Sequence, residues 1–213
     1  MIIDYQNVHI TAHDLYEPYQ PVHTSLIRPY FFARRLVQCR NATQRPGYPE
    51  AELAQVKVFR GLPSAEHDPD GNARNNAQKN DWDRDPNVKV IQRSLRYNVH
   101  RRVYSVPANP DLTGEIEARE KGIDVLCALA TISAANDPEI DLVILATHDS
   151  DLEPAVEMVQ QTKAARIEGF QWFCTNPISG QYTRRLRSTV APFWATRLYE
   201  DDFESVRETR DYR

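Results

Sequence analysis

Cysteine is scarce: the 213-residue chain holds three, Cys39, Cys127 and Cys174, and no two lie close together. That odd, scattered set forms neither a disulfide framework nor a zinc-ligand pattern, so buried free thiols are expected. No run of about 18 apolar residues occurs, which leaves no membrane-spanning helix to expect. The opening Met1-Ile2-Ile3-Asp4 lacks the basic-then-apolar order of a secretory signal, and a cytoplasmic protein is the reading. An excess of positive charge is missing too: 26 Lys and Arg stand against 30 Asp and Glu, a formal net charge of −4. Such a balance argues against coating nucleic acid by bulk charge but leaves room for a local basic groove. No internal repeat is visible.

What is there fits one globular domain with a sizeable core, since 41% of the residues are hydrophobic and 26% charged. Ile2-Ile3 running into Asp4 reads as a very short buried strand. A loop through Pro18 and Pro21 follows, then a helix over 24–40 with Pro29 in its first turn. Residues 55–60 alternate as a half-buried strand does. The polar stretch 64–87 reads as an insertion, a long loop with a short helix near 74–82. Strand-like alternation returns over 88–95, and 102–106 adds an edge strand. The second half is clearer. Residues 122–135 form a helix with Val125, Leu129 and Ile132 on its inner face. The apolar run 141–146 reads as a central parallel strand covered on both sides. Residues 151–163 form a helix with Leu152, Ala155, Val156 and Val159 inward, and 169–174 a last core strand. Strands alternating with helices predict a three-layer α/β domain with a mainly parallel sheet over 1–199, and 200–213 a charged tail, exposed or frayed.

Three segments concentrate the chemistry: Ile3-Asp4-Tyr5-Gln6-Asn7-Val8, Glu120-Lys121-Gly122-Ile123-Asp124-Val125, and Thr147-His148-Asp149-Ser150-Asp151-Leu152. Together they carry five carboxylates. Gathered in one pocket, several ionised carboxylates repel one another unless some are protonated or a cation lies between them. Hard oxygen donors of this kind suit Mg²⁺ or Mn²⁺. The chemistry served is attack of water on a phosphodiester, with metal ions lowering the pKa of the water and neutralising the phosphate. Asp4 stands alone where a receiver domain pairs two acids, and Gln6 stands where a dehalogenase-like phosphatase carries its second Asp.

The order Asp-x-x-Asn after a first strand, Lys-Gly-x-Asp-Val opening a helix, and a strand entering a turn with Asp-Ser-Asp-Leu resembles the NYN branch of the PIN-like nuclease superfamily. The resemblance covers the first dozen residues and about 115–175. It implies a PIN-like fold and a metal-dependent endoribonuclease acting on single-stranded or structured RNA, with Mg²⁺ or Mn²⁺ as cofactor. Asp4, Asp124, Asp149 and Asp151 are the implied metal-binding carboxylates, Asp151 directly or through water. Asn7 is implied to hold a carboxylate or the substrate phosphate, and Lys121 to neutralise the phosphate or pair with a carboxylate. His148 replaces the small residue usual in that turn, where it donates to a phosphate or fills space.

Other readings stand beside these. Asp124 and Asp151 are each well placed to cap a helix, and Glu120 is either a neighbour of Asp124 in the site or a solvated side chain. His9 and His13, spaced i,i+4 in a segment that reads as loop, lack a third ligand. Arg93, Arg96, Tyr97, Arg101 and Arg102 mix basic and aromatic groups, as single-strand binding surfaces do, and the run 183–187 is a second basic cluster. The competing function is a module that binds nucleic acid or protein through a retained acidic pocket without cleaving.

Overall fold

The computed structural model describes residues 1–100, 115–119, 121–175, 177, 180 and 182–212. Six strands form one sheet: β1 (Ile2–Asp4), β2 (Val56–Leu62), β3 (Val88–Ser94), β6 (Leu142–Ala146), β7 (Arg166–Trp172) and β8 (Ala195–Leu198). Their order is β3-β2-β1-β6-β7-β8, and every neighbouring pair is parallel. Between β1 and β6 the winding reverses direction, and the carboxyl ends of strands at such a reversal are where open α/β sheets place their sites. A separate antiparallel hairpin joins β4 (Arg96–His100) to β5 (Glu115–Arg119). The expected edge strand at 102–106 lies outside the described residues.

Both faces of the sheet are covered, as a parallel sheet requires. On one face Ile3, Val58, Phe170 and Trp172 pack against α1 (Tyr5–Tyr16) and α2 (Pro29–Ala42), with Trp82 of α3 (Pro69–Trp82) and Phe203 of α6 (Glu200–Ser205) in the same cluster. On the other, Ile2, Val143, Leu145 and Ile167 meet α4 (Ile123–Ala135) and α5 (Glu153–Thr162). The three-layer α/β architecture expected from the sequence is therefore present.

Several elements differ from the sequence reading for identifiable reasons. No loop follows β1: Asp4 ends the strand and caps α1 at once, its carboxylate accepting the Asn7 N–H at 3.4 Å. His9 and His13 thus lie on a helix, both buried. They share the Ser25 hydroxyl, at 3.2 Å from His9 Nε2 and 3.1 Å from His13 Nδ1. The polar stretch after β2 holds a 14-residue helix, α3, capped by Asp68 on the Gly71 N–H, with Pro69 in its first turn.

The inner face of α4 is also not the expected one. Ile123, Cys127, Thr131 and Ala135 are buried, while Val125 and Leu129 are 54% and 59% exposed. The smaller side chains let α4 approach the sheet closely, and the larger apolar ones turn outward.

Residues 200–213 were expected to be exposed, yet Phe203 and Val206 are buried to within 1%. Glu208 enters a cluster with Arg28, Trp82 Nε1 and the Tyr212 hydroxyl. Asp81 joins it through Arg28, Tyr212 and Arg210. No helix among the described residues is long and apolar enough to cross a membrane.

Candidate active site

Asp4 and Asp149 meet at the winding reversal through one hydroxyl. Thr147, fully buried just past the end of β6, donates from Oγ1 to Asp4 Oδ2 at 3.3 Å and accepts the Asp149 N–H at 3.1 Å. Asn7, one turn into α1, closes the other side: its Oδ1 accepts the His148 N–H at 2.6 Å. The Asn7 side chain thus ties the first turn of α1 to the turn after β6, while its backbone N–H is the donor that the Asp4 carboxylate caps. Asp149 accepts the Asp151 N–H at 3.0 Å and so caps the short 3-10 turn Ser150–Leu152 that leads into α5.

Capping therefore falls on Asp4 and Asp149. Asp124 and Asp151, for which capping was the alternative to metal binding, do not cap. Gly122 occupies the N-cap of α4 in the left-handed region, at φ 84°, and Leu152 that of α5. Asp124 sits half-buried in the first turn of α4, where the helix dipole favours an anion, and Asp151 is exposed. Helix α4 packs on β1 and on the 3-10 turn, which brings its amino end to the same side of the sheet. Lys121 is exposed beside it. Glu120, Arg101 and Arg102 lie outside the described residues.

His148 is taken up by the fold. Its Nε2 accepts the Trp172 N–H at 3.1 Å, and its ring meets Phe170 edge-on at a centroid distance of 4.7 Å. That bond ties the turn after β6 to the end of β7. Burial holds the imidazole pKa down at about 3, so the ring is neutral and fixes the turn that carries Asp149. Trp172 in turn donates from Nε1 to the Val8 carbonyl, locking α1 to β7.

Two groups gain roles the sequence reading had not given them. Thr147 links the Asp4 carboxylate to the Asp149 backbone; the one signal for it was a hydroxyl residue directly after a continuous apolar strand. Arg93, grouped by the sequence with Arg96 and Tyr97 as a candidate single-strand surface, lies against the start of α4. A Cβ built on Gly122 would come 3.3 Å from Arg93 Nε, so the absence of a side chain there admits the guanidinium next to Lys121 and Asp124.

Among the described residues no three His, Cys, Asp or Glu side chains group closely enough to hold a metal ion. What is gathered at the reversal is Asp4 and Asp149, joined through Thr147 by the Asp4 carboxylate and the Asp149 backbone N–H, with Asp151 two residues further along the turn. This hard-oxygen set fits Mg²⁺ or Mn²⁺ chemically, since Mg²⁺ takes one or two carboxylates and keeps several waters.

An α/β sheet of this winding, with acidic residues at its reversal, is the arrangement of a PIN-like domain. A sequence model of the NYN domain matches residues 1–179, and the chain belongs to that family. Membership points to nuclease chemistry in general terms. No curated protein matches the chain. A solved structure of a protein of unknown function from Vibrio parahaemolyticus is similar at 22% identity, covering 95% of this chain and 92% of that one, with a TM-score of 0.46.

Proposed function

We propose that the protein is a Mg²⁺- or Mn²⁺-dependent endoribonuclease that hydrolyses RNA phosphodiester bonds at the carboxyl ends of β1 and β6. The observation that carries this is the Asp4–Thr147–Asp149 connection at the winding reversal of a parallel sheet. Asp4 and Asp149 would hold the cation, with Asp151 and Asp124 contributing from the turn and from the start of α4. When bound, the cation lowers the pKa of water and offsets phosphate charge.

The chain's own groups do the rest. The Thr147 hydroxyl and the Asn7 amide keep the carboxylate-bearing segments in register. His148 holds the turn rigid from below, and as a neutral ring it adds no charge. Lys121 and Arg93, on the α4 side, attract the phosphate and orient it against the acidic pair. The water-accessible position of Asp151 leaves an approach for the attacking water.

Cleavage of a single-stranded RNA in Mn²⁺ or Mg²⁺ tests the reading. Wild type is expected to cut and to stop on chelation, and Asp149→Asn to lower the rate at least a hundredfold, a magnitude of about 3 kcal/mol in the barrier. Activity that survives both treatments, or is absent from wild type, would falsify it. The absence of a three-carboxylate group among the described residues favours a second reading, a module that binds RNA without cutting; it predicts tight binding with no turnover at any metal concentration.

A further inference from the structure

The segment after β7 carries Arg184, Arg185 and Arg187, all exposed, around the buried Leu186. It lies beyond the residues matched by the family model. Its path is set by hydrogen bonds at both ends. Thr183 donates from its hydroxyl to the Trp172 carbonyl, and Gln171 Nε2 donates to the Thr183 carbonyl at 2.9 Å, which moors the start of the strap to the carboxyl end of β7. Further on, the Arg187 N–H donates to Glu153 Oε1 at 2.9 Å and the Thr189 N–H to Glu157 Oε1 at 2.9 Å, so the strap then runs along α5. Glu153 stands in the first turn of α5, two residues after Asp151. The arginines therefore span from the end of β7 to the start of α5, skirting the turn that carries Asp149 and Asp151.

The charge state of this strap is unusual for its surroundings. Glu153 and Glu157, the acids along its course, accept hydrogen bonds from strap backbone. No ion pair engages Arg184, Arg185 or Arg187 among the described residues. Leu186 anchors the segment in the core, which holds the three cations outward without their own side chains being used for folding. In a chain of net charge −4 an acidic pocket repels a polyanion, so a fixed row of guanidinium groups on its rim has a defined electrostatic effect.

We propose that this strap is a binding surface for the backbone of single-stranded RNA, leading the strand across the carboxyl end of the sheet toward Arg93 and Lys121 on the far side. The proposal rests on the RNA reading above and concerns binding, which is measured separately from cleavage. Arginine guanidinium groups suit phosphate oxygens, and each phosphate contact made by a cation steepens the salt dependence of binding.

The test measures fluorescence anisotropy of a labelled single-stranded RNA with the full chain carrying Asp149→Asn, in Mg²⁺, across a salt series. The variant Arg184→Gln/Arg185→Gln/Arg187→Gln is compared with Arg45→Gln/Lys163→Gln/Arg166→Gln, which removes equal charge from the groove at the amino ends of the strands. The strap variant is expected to bind at least tenfold more weakly and to lose about 2 from the log–log salt slope, at about 0.7 per single-strand phosphate contact. The groove variant is expected to stay within twofold. Equal effects from the two variants, or no RNA binding at all before the arginines are changed, overturn the proposal. Strap-dependent binding by a protein that fails to cut RNA in the wild-type form would support the strap and remove the nuclease reading. Unchanged circular dichroism and melting temperature in both variants exclude a folding defect as the cause.

Discussion

At the scale of single residues, polar groups that look catalytic in the sequence divide into those that hold and those that face solvent. His9 belongs to the first group. Its Nε2 lies 3.0 Å from the Val22 carbonyl, and burial lowers its pKa to about 4. A folded-state pKa below the unfolded value of about 6.5 means that the unfolded chain takes up the proton first. Stability is therefore retained above that unfolded value and falls as pH drops from about 6.5 toward 4. Between pH 7 and pH 5 the expected loss from this one group is about 2 kcal/mol. Urea unfolding at the two pH values should show it, and His9→Gln, which keeps a donor for Val22 but does not titrate, should lessen the dependence by about that amount, the buried His148 keeping its own share. An equal slope in the variant would assign the effect elsewhere.

At the scale of elements, the start of α4 shows how a backbone conformation and a candidate substrate group are coupled. Gly122 lies at φ 84°, where an L side chain is strained, and its missing Cβ admits Arg93. Gly122→Ala is expected to cost about 1–2 kcal/mol and to lower the melting temperature by a few degrees. The same change should raise the KM for RNA more than it lowers kcat, because it displaces Arg93 without altering the carboxylate pair; a change confined to kcat would contradict that placement.

This element also marks what was legible beforehand. The strands announced themselves because β2, β3 and β6 carry continuous or alternating apolar residues, and Asp4 and Asp149 followed from their positions at strand ends. The helix α1 did not, because two of its buried positions are histidines whose polarity is met by Ser25, a residue 16 and 12 positions away. The inner face of α4 was misjudged because hydrophobicity alone favours Val125 and Leu129, whereas close packing on the sheet selects Cys127, Thr131 and Ala135. The link through Thr147 is a tertiary contact, invisible to any local pattern.

At the scale of the whole molecule, residues 200–212 act as a clasp. The Glu208 side chain is 3% exposed and serves Arg28, Trp82 and Tyr212, groups from α3, the start of α2 and the end of the chain. Glu208→Ala leaves Arg28 and the Trp82 N–H without this acceptor, and a destabilisation of about 3 kcal/mol is expected from breaking such a buried charge network. Denaturant titration at neutral pH measures it. A change below about 0.5 kcal/mol, the size of an ordinary surface effect, would show that the clasp is not stabilising.

The parallel winding has a further consequence in time. Asp4 and Thr147, joined by the hydroxyl bond, are 143 residues apart in the chain. At a synthesis rate of about 5–20 residues per second, the first carboxylate waits roughly seven to thirty seconds for its partner segment to be made. Strand β1, although central, has no β6 to pair with during that interval. The proposed catalytic centre therefore comes into being only once β6 and the turn after it have been made, and every shorter nascent chain carries Asp4 without the segment that completes its surroundings.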